Sequence, residues 1–209
     1  MASIQRVLTH GTHPVDGREV ELDNNVWIVG DETEVVVIDA SHQPQVIADA
    51  VAGRRVVGIL LTHGHRDHIG RAPELSRLTG GPLWLHHADE PLWAAVHGDV
   101  PFPATALPPH QIVHVAGLEL EVRHTPGHTP GASVVVAAEL GAVFTGDTLF
   151  EGGPGATRWE YSSFPQIVQS ITDSLLTLPP ETVVHTGHGP DTTIGAEAEH
   201  RQEWLDRGW

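Results

Sequence analysis

Cysteine is absent from the 209 residues, and so is lysine. The first absence removes disulfides, thiol nucleophiles and thiolate ligands, so any metal is held by nitrogen and oxygen. The second removes a lysine Schiff base and a lysine anion clamp, and makes all 11 basic residues arginine. Against them stand 27 acidic residues and a net charge of -16, which repels phosphate backbones and anionic lipid and argues against nucleic acid as a partner. No segment reaches the ~18 apolar residues of a membrane span, and the N-terminal MASIQRVLTHGTHPVDG lacks the apolar stretch of a signal peptide. No membrane association and a cytoplasmic location are the expectations.

Histidine is the surplus, with sixteen in the chain, several only one or two residues apart. A content of 40% hydrophobic and 18% charged residues predicts a folded chain with a substantial core, read as one domain over residues 1–209. Short β-branched runs read as strands: Val26–Val29, Val35–Ile38, Val56–Leu61, Leu118–Val122, Ser133–Val136, Ala142–Phe144 and Thr182–Val184. Helical patterns cover Gln45–Val51, Asp67–Leu78, Asp89–Val96, Pro165–Leu176 and Ile194–Asp206. The fourth is the clearest, because Ile167, Val168, Ile171, Leu175 and Leu176 share one face and Ser163 with Gln166 has capping-box spacing. Pro101–Pro109, with four prolines, reads as a stiff surface loop. The alternation predicts a layered α/β protein with its functional residues on strand-end loops.

The segment VVGILLTHGHRDHIG places His63, His65, Asp67 and His68 between an apolar strand and a helix. In an extended loop His63 and His65 face one side, while Asp67 and His68, entering the helix, turn elsewhere, so two ligand groups serve two neighbouring metals. Nitrogen and carboxylate donors suit zinc first, and iron or manganese less selectively. Three later strand ends repeat the design: TPGHTPGAS with His128, FTGDTLF with Asp147, and VVHTGHGPDTTIG with His188. Each has a glycine beside the candidate ligand, which lets main chain approach a metal without Cβ crowding. His185 suits either a supporting or a packing role. His86, His87, His97, His110, His114, His124 and His200 read as ordinary surface or structural residues.

In this order, THGHRDHIG, PGHTPGA, GDTLF and GHGPDTT resemble the metallo-β-lactamase superfamily, specifically its glyoxalase II (hydroxyacylglutathione hydrolase)-like branch, over Val26 to Glu197. The resemblance implies a four-layer αββα sandwich. It also implies one divalent metal ion on His63, His65 and His128, a second on Asp67, His68 and His188, and Asp147 bridging them. Two such metals can share a water, lower its pKa toward ~7 and present hydroxide to a carbonyl carbon. Asp67 is then either a ligand only or also the acceptor of the water's proton. A thioester suits such a site, since a thiolate, with thiol pKa near ~8.5, departs without a strong general acid. The expected partner is therefore a small-molecule thioester or ester.

Two departures bear on the substrate. Only 21 residues follow His188, enough for a terminal helix but not for the glutathione-binding extension of full-length glyoxalase II. Where the branch often has a basic residue after GDTLF, this chain has Ala156, with Arg158 and Tyr161 nearby as candidate substrate contacts. The thiol is therefore open, and a lactonase or simple esterase stays in view. The main alternative is a persulfide dioxygenase, which resembles the same branch but uses a single iron, here on His63, His65 or His128, and Asp147. A β-lactamase proper fits less well, lacking the second-site cysteine, and a non-catalytic metal-binding domain is least favoured because all seven positions are filled.

Overall fold

The computed structural model describes residues 1–15, 18–103, 105–106 and 111–208. His110 and most of the Pro101–Pro109 loop's second half lie outside the described residues. Two six-stranded sheets form the centre. The first runs, in spatial order, through β1 (Ser3–Val15), β2 (Arg18–Gly30), β3 (Glu34–Ile38), β4 (Arg55–Leu60), β5 (Leu83–Leu85) and β6 (Thr105–Ala106). It begins antiparallel and turns parallel from β3 onward. The second contains β7 (Gln111–Val115), β8 (Leu118–His124), β9 (Ser133–Ala137), β10 (Ala142–Gly146), β13 (Val183–Thr186) and β14 (Thr192–Thr193). It is antiparallel except where β13 lies parallel to β10. A small hairpin of β11 (Leu149–Phe150) and β12 (Gly153–Pro154) follows β10.

Strand periodicity explains the layering. In β3, Val35 and Val37 point to one apolar cluster, and Val36 and Ile38 to another. In β9, Val134 and Val136 are separated in the same way from Val135 and Ala137. Both faces of these strands are therefore covered, which is why they read as continuous apolar runs rather than alternating ones. The shared cluster lies between the sheets, where Trp27, Val29 and Leu60 meet Leu120, Val122 and Phe144. The outer face of the first sheet packs on α1 (Pro44–Val51), α2 (Arg66–Ile69), α3 (Ala72–Thr79) and α4 (Glu90–His97) through Ile47, Val51, Ile69, Leu75 and Trp93. The second sheet packs on α5 (Phe164–Ser174), α6 (Ile194–Glu199) and α7 (Arg201–Arg207) through Ile167, Ile171, Ile194 and Trp204. The result is the expected αββα sandwich. Among the described residues, no helix is long and apolar enough to cross a membrane.

Two predicted helices are each broken in two. Asp67–Leu78 is α2 and α3, because a continuous helix would set the Pro73 ring against the carbonyl of Ile69 and leave that carbonyl without its donor. Pro73 instead takes an early position in α3, where a missing N–H costs nothing. Ile194–Asp206 divides at His200, where α6 gives way to α7. The cap predicted for α5 forms, with Ser163 Oγ accepting from the Gln166 N–H at 3.4 Å.

Candidate metal centre

The site lies where strand ends of the two sheets meet. The loop leaving β4 carries His63 and His65, and α2 carries Asp67 and His68. The second sheet supplies His128 from the β8–β9 loop, Asp147 just after β10, and His188 after β13. All seven are brought together. The donor atoms of His63, His65 and His128 lie within 4.8 Å of one another, as do those of Asp67, His68 and His188, and those of His63, His68 and Asp147. His65 presents Nδ1, at 3.1 Å from His63 Nε2 and 2.9 Å from His128 Nε2. In the other group His188 Nε2 is 3.1 Å from both His68 Nε2 and Asp67 Oδ2.

Asp147 spans the two groups. Its Oδ1 is 3.2 Å from His68 Nε2 and 3.6 Å from His188 Nε2, while Oδ2 faces His128 Nε2 at 3.6 Å. Gly187 makes room for it, since a Cβ there would lie 2.5 Å from Asp147 Oδ1 and 2.8 Å from His68 Cε1. The glycine reading needs correction elsewhere. Gly127, at φ 140°, is required by α5 rather than by a metal, because a Cβ would fall 2.3 Å from the Ile167 nitrogen.

The outer nitrogen of every histidine is engaged. His68 Nδ1 meets Asp39 Oδ2 at 2.7 Å, His128 Nδ1 donates to the Ala156 carbonyl at 2.8 Å, and His188 Nδ1 donates to the Asp23 carbonyl at 2.8 Å. His63 Nδ1 is 3.1 Å from Thr62 Oγ1, and His65 Nε2 is 2.9 Å from the Tyr161 hydroxyl. With the outer nitrogens carrying the protons, the inner ones of His63, His65 and His128 present lone pairs to one another, while those of His68 and His188 face the Asp67 and Asp147 carboxylates. Such crowding of lone pairs calls for a cation between them. The buried Oδ1 of Asp147, which faces the His68 and His188 nitrogens, points the same way. The residues thus fit a divalent ion bound by nitrogen and oxygen.

Charge is divided across the centre. Burial holds His63 and His128 below the usual imidazole range and brings His65 down to about 3. Burial acts in the same direction on His68 and His188, but the Asp147 and Asp67 carboxylates outweigh it and raise both, joined at His68 by Asp39. Asp147 stays well below the carboxylate range, since His188 and His68 overcome the burial that would raise it.

Several contributors carry no sequence motif. Asp39 follows β3 at φ 68°, a left-handed conformation that aspartate tolerates better than most residues, and it receives the Thr62 N–H at 2.7 Å and the Thr62 hydroxyl at 2.9 Å besides His68. The available signal was an acid closing the apolar run VVVID. Asn24 donates to Asp67 Oδ2 at 3.2 Å, while its own oxygen accepts from His42 at 2.8 Å. Trp159 packs its ring 4.4 Å from His65 and 5.3 Å from His128. A cavity of about 220 Å³ opens over the centre, walled by Leu22, Phe150, Arg158 and Trp159. Arg158 lies over the Trp159 ring at 5.0 Å, and Tyr161 stacks near Trp159 while holding His65. His185 is a packing residue, between Trp27 and Phe144 and bonded to Asp191.

The sequence profile of the Metallo-beta-lactamase superfamily matches residues 20–188. The chain belongs to this superfamily. Its relatives include the hydroxyacylglutathione hydrolase GloC of Haemophilus influenzae, 31% identical over 82% of this chain and 87% of that protein. Among solved structures, TTHA1623 in a di-iron-bound form is 33% identical with a TM-score of 0.74, covering 85% of this chain and 93% of that one. ETHE1 from Myxococcus xanthus is 26% identical with a TM-score of 0.73, covering 88% and 84%. Superfamily membership and the His/Asp cluster make this a divalent-metal site in a metallo-hydrolase fold.

Proposed function

We propose that the protein is a binuclear metal-dependent hydrolase whose substrate is a thioester of a low-molecular-weight thiol. The observation that carries the reading is the placement of Asp147, one oxygen toward His68 and His188 and the other toward His128. His63, His65 and His128 would hold one ion, Asp67, His68 and His188 the other, and Asp147 both. Zinc is the first expectation, with iron or manganese as alternatives. Ions bound there supply Lewis-acid polarisation of a carbonyl and a water activated at neutral pH.

The chain's own residues perform the remaining tasks. Asp67, steadied by Asn24 at 3.2 Å, is placed to take the proton of the attacking water. Arg158 and Trp159 offer a cationic, aromatic wall to the thiol portion, and Leu22 and Phe150 an apolar one to the acyl group. Apart from the residues that would hold the ions, the described lining of the cavity is Leu22, Phe150, Ala156, Arg158 and Trp159, none of which readily gives up a proton to a leaving group near neutral pH. An amine or alkoxide would need such a donor, whereas a thiolate does not. The likeness to GloC supports the same substrate class. The net charge of -16 favours a small-molecule partner over nucleic acid.

Elemental analysis of the purified protein, followed by thiol release from acylated low-molecular-weight thiols, tests the reading. About two metal atoms per chain with hydrolysis supports it. Asp147→Ala should then lose metal and activity together, and unchanged hydrolysis in that variant defeats the two-metal assignment. The likeness to ETHE1 favours a second reading, a persulfide dioxygenase. About one atom, nearly all iron, with oxygen uptake on a persulfide substrate, would establish that instead.

A further inference from the structure

Asp89 closes the turn before α4, far in sequence from any ligand, and is fully buried. Both of its oxygens are occupied by donors from two other segments. Oδ2 accepts from the Gly64 N–H at 2.7 Å and from the Thr129 hydroxyl at 2.7 Å, and Oδ1 accepts from the Gly131 N–H at 2.6 Å. Gly64 is the residue between His63 and His65, and Thr129 follows His128. One carboxylate therefore joins the main chain between two histidines of the first group to the segment that carries the third.

The two glycines are matched to this carboxylate. A Cβ at Gly64 would lie 3.0 Å from Asp89 Cβ and 2.7 Å from Leu92 Cβ, and one at Gly131 would lie 2.7 Å from Asp89 Cγ. Their proximity to histidine ligands in the sequence thus reflects the approach of main chain to Asp89 rather than to a metal. None of the three bonds reaches Asp67, His68 or His188.

We propose that Asp89 is a positioning residue for the three-histidine half of the centre: by fixing Gly64 against Thr129 and Gly131 it sets the spacing of His63, His65 and His128, and so the affinity of that half for its ion. The inference rests on the reading that the cluster holds metal. It goes beyond that reading in making one half of the centre separately tunable. Three charge-assisted bonds in a buried setting hold two loops in one register, and a donor facing a donor would spread them.

Asp89→Asn preserves shape but exchanges one acceptor oxygen for an amide that meets an N–H or hydroxyl donor. Metal-free protein, confirmed as folded by circular dichroism, is titrated with Co²⁺ and followed by its visible bands. The wild type should take about two equivalents. In the variant the affinity for one equivalent should fall about 10–100-fold while the other is unchanged. His188→Ala, which dismantles the other half, leaves the three-histidine half to be read alone, and adding Asp89→Asn should weaken that remaining equivalent by the same factor. Should metal-free Asp89→Asn fail to fold, Thr129→Val removes a single donor and is judged by the same selective loss. Unchanged binding, or equal weakening of both equivalents, overturns the role of Asp89 alone. A wild type that takes up no Co²⁺ overturns the metal reading as well.

Discussion

The five imidazoles present their inner nitrogens because each outer nitrogen has a partner, and three of those partners are side chains, Asp39, Thr62 and Tyr161, the first and last with consequences of their own. Asp39 holds His68 Nδ1 at 2.7 Å and also takes both donors of Thr62. Asp39→Asn replaces an acceptor with a donor facing His68 or Thr62, and the expected result is a loss of about 10–100-fold in metal affinity, measured by competition with a chromophoric chelator. Retention of wild-type affinity would show that His68 is oriented without it. Tyr161 is the second case. It is the sole tyrosine of the chain, so ultraviolet difference spectroscopy reads it without interference. Burial, and then the charge of Asp89, hold its hydroxyl up to about 12. Metal-free protein brought near pH ~10, where a free tyrosine is half ionised, should therefore show little tyrosinate. Half-ionisation at that pH would mean that the hydroxyl is neither desolvated nor within reach of the Asp89 charge.

At the scale of elements, the ligand loops are held by structure remote from the metal. Helix α5 is the anchor of the His128 loop: Ser163 N–H donates to the Gly127 carbonyl at 2.8 Å, and Ser170 Oγ donates to the Pro126 carbonyl at 2.7 Å. Gly127→Ala sets a Cβ against the Ile167 main chain and forces a left-handed conformation on a residue that resists it. The expected cost is about 1–3 kcal/mol, or a fall of roughly 2–12 °C in Tm for a chain of this size, together with weaker metal binding. A calorimetric scan checks the first, and a variant melting with the wild type would show that the loop does not rest on α5. The same comparison explains what the sequence could disclose. The seven residues that the fold brings together were legible because they are clustered or closed by glycine, and β3, β9 and α5 because apolar residues recur at the right period. Most of β1, with two histidines, two threonines and an arginine, has one face in solvent and offers no such run; β5, β6 and β14 are two or three residues long. Asp39, Asp89 and Asn24 were hidden for a different reason. Each sits in no recognisable motif and has partners on other segments, so only the pairing of strands and loops brings its role into view.

For the whole molecule, the centre is a joint between two sheets. Each ligand group draws from both: His63 and His65 from the first with His128 from the second, and Asp67 and His68 from the first with His188 from the second. An ion held by either group would therefore tie the halves together across the buried layer of Trp27, Leu60 and Phe144. At a free concentration about a thousandfold above Kd, one ion adds ~4 kcal/mol to the folded state, or roughly 8–16 °C in Tm for a chain of this size. The gap between metal-loaded and chelated protein should also depend on pH with a fixed sign. Without metal, His68 and His188 have raised pKa values, so their protonation stabilises the folded chain below the unfolded value of 6.5 and that contribution is lost as pH rises through the folded values. Metal must displace those protons, so binding strengthens as pH rises until both groups are neutral. His63, His65 and His128, lowered by burial, are already neutral and compete little. The Tm gap should accordingly keep the share of the His63, His65 and His128 group near pH 5.5 and widen toward pH 8 as the His68 and His188 group becomes free to bind. A gap that is constant across that range, or that narrows with rising pH, would mean that protons and metal do not compete for His68 and His188.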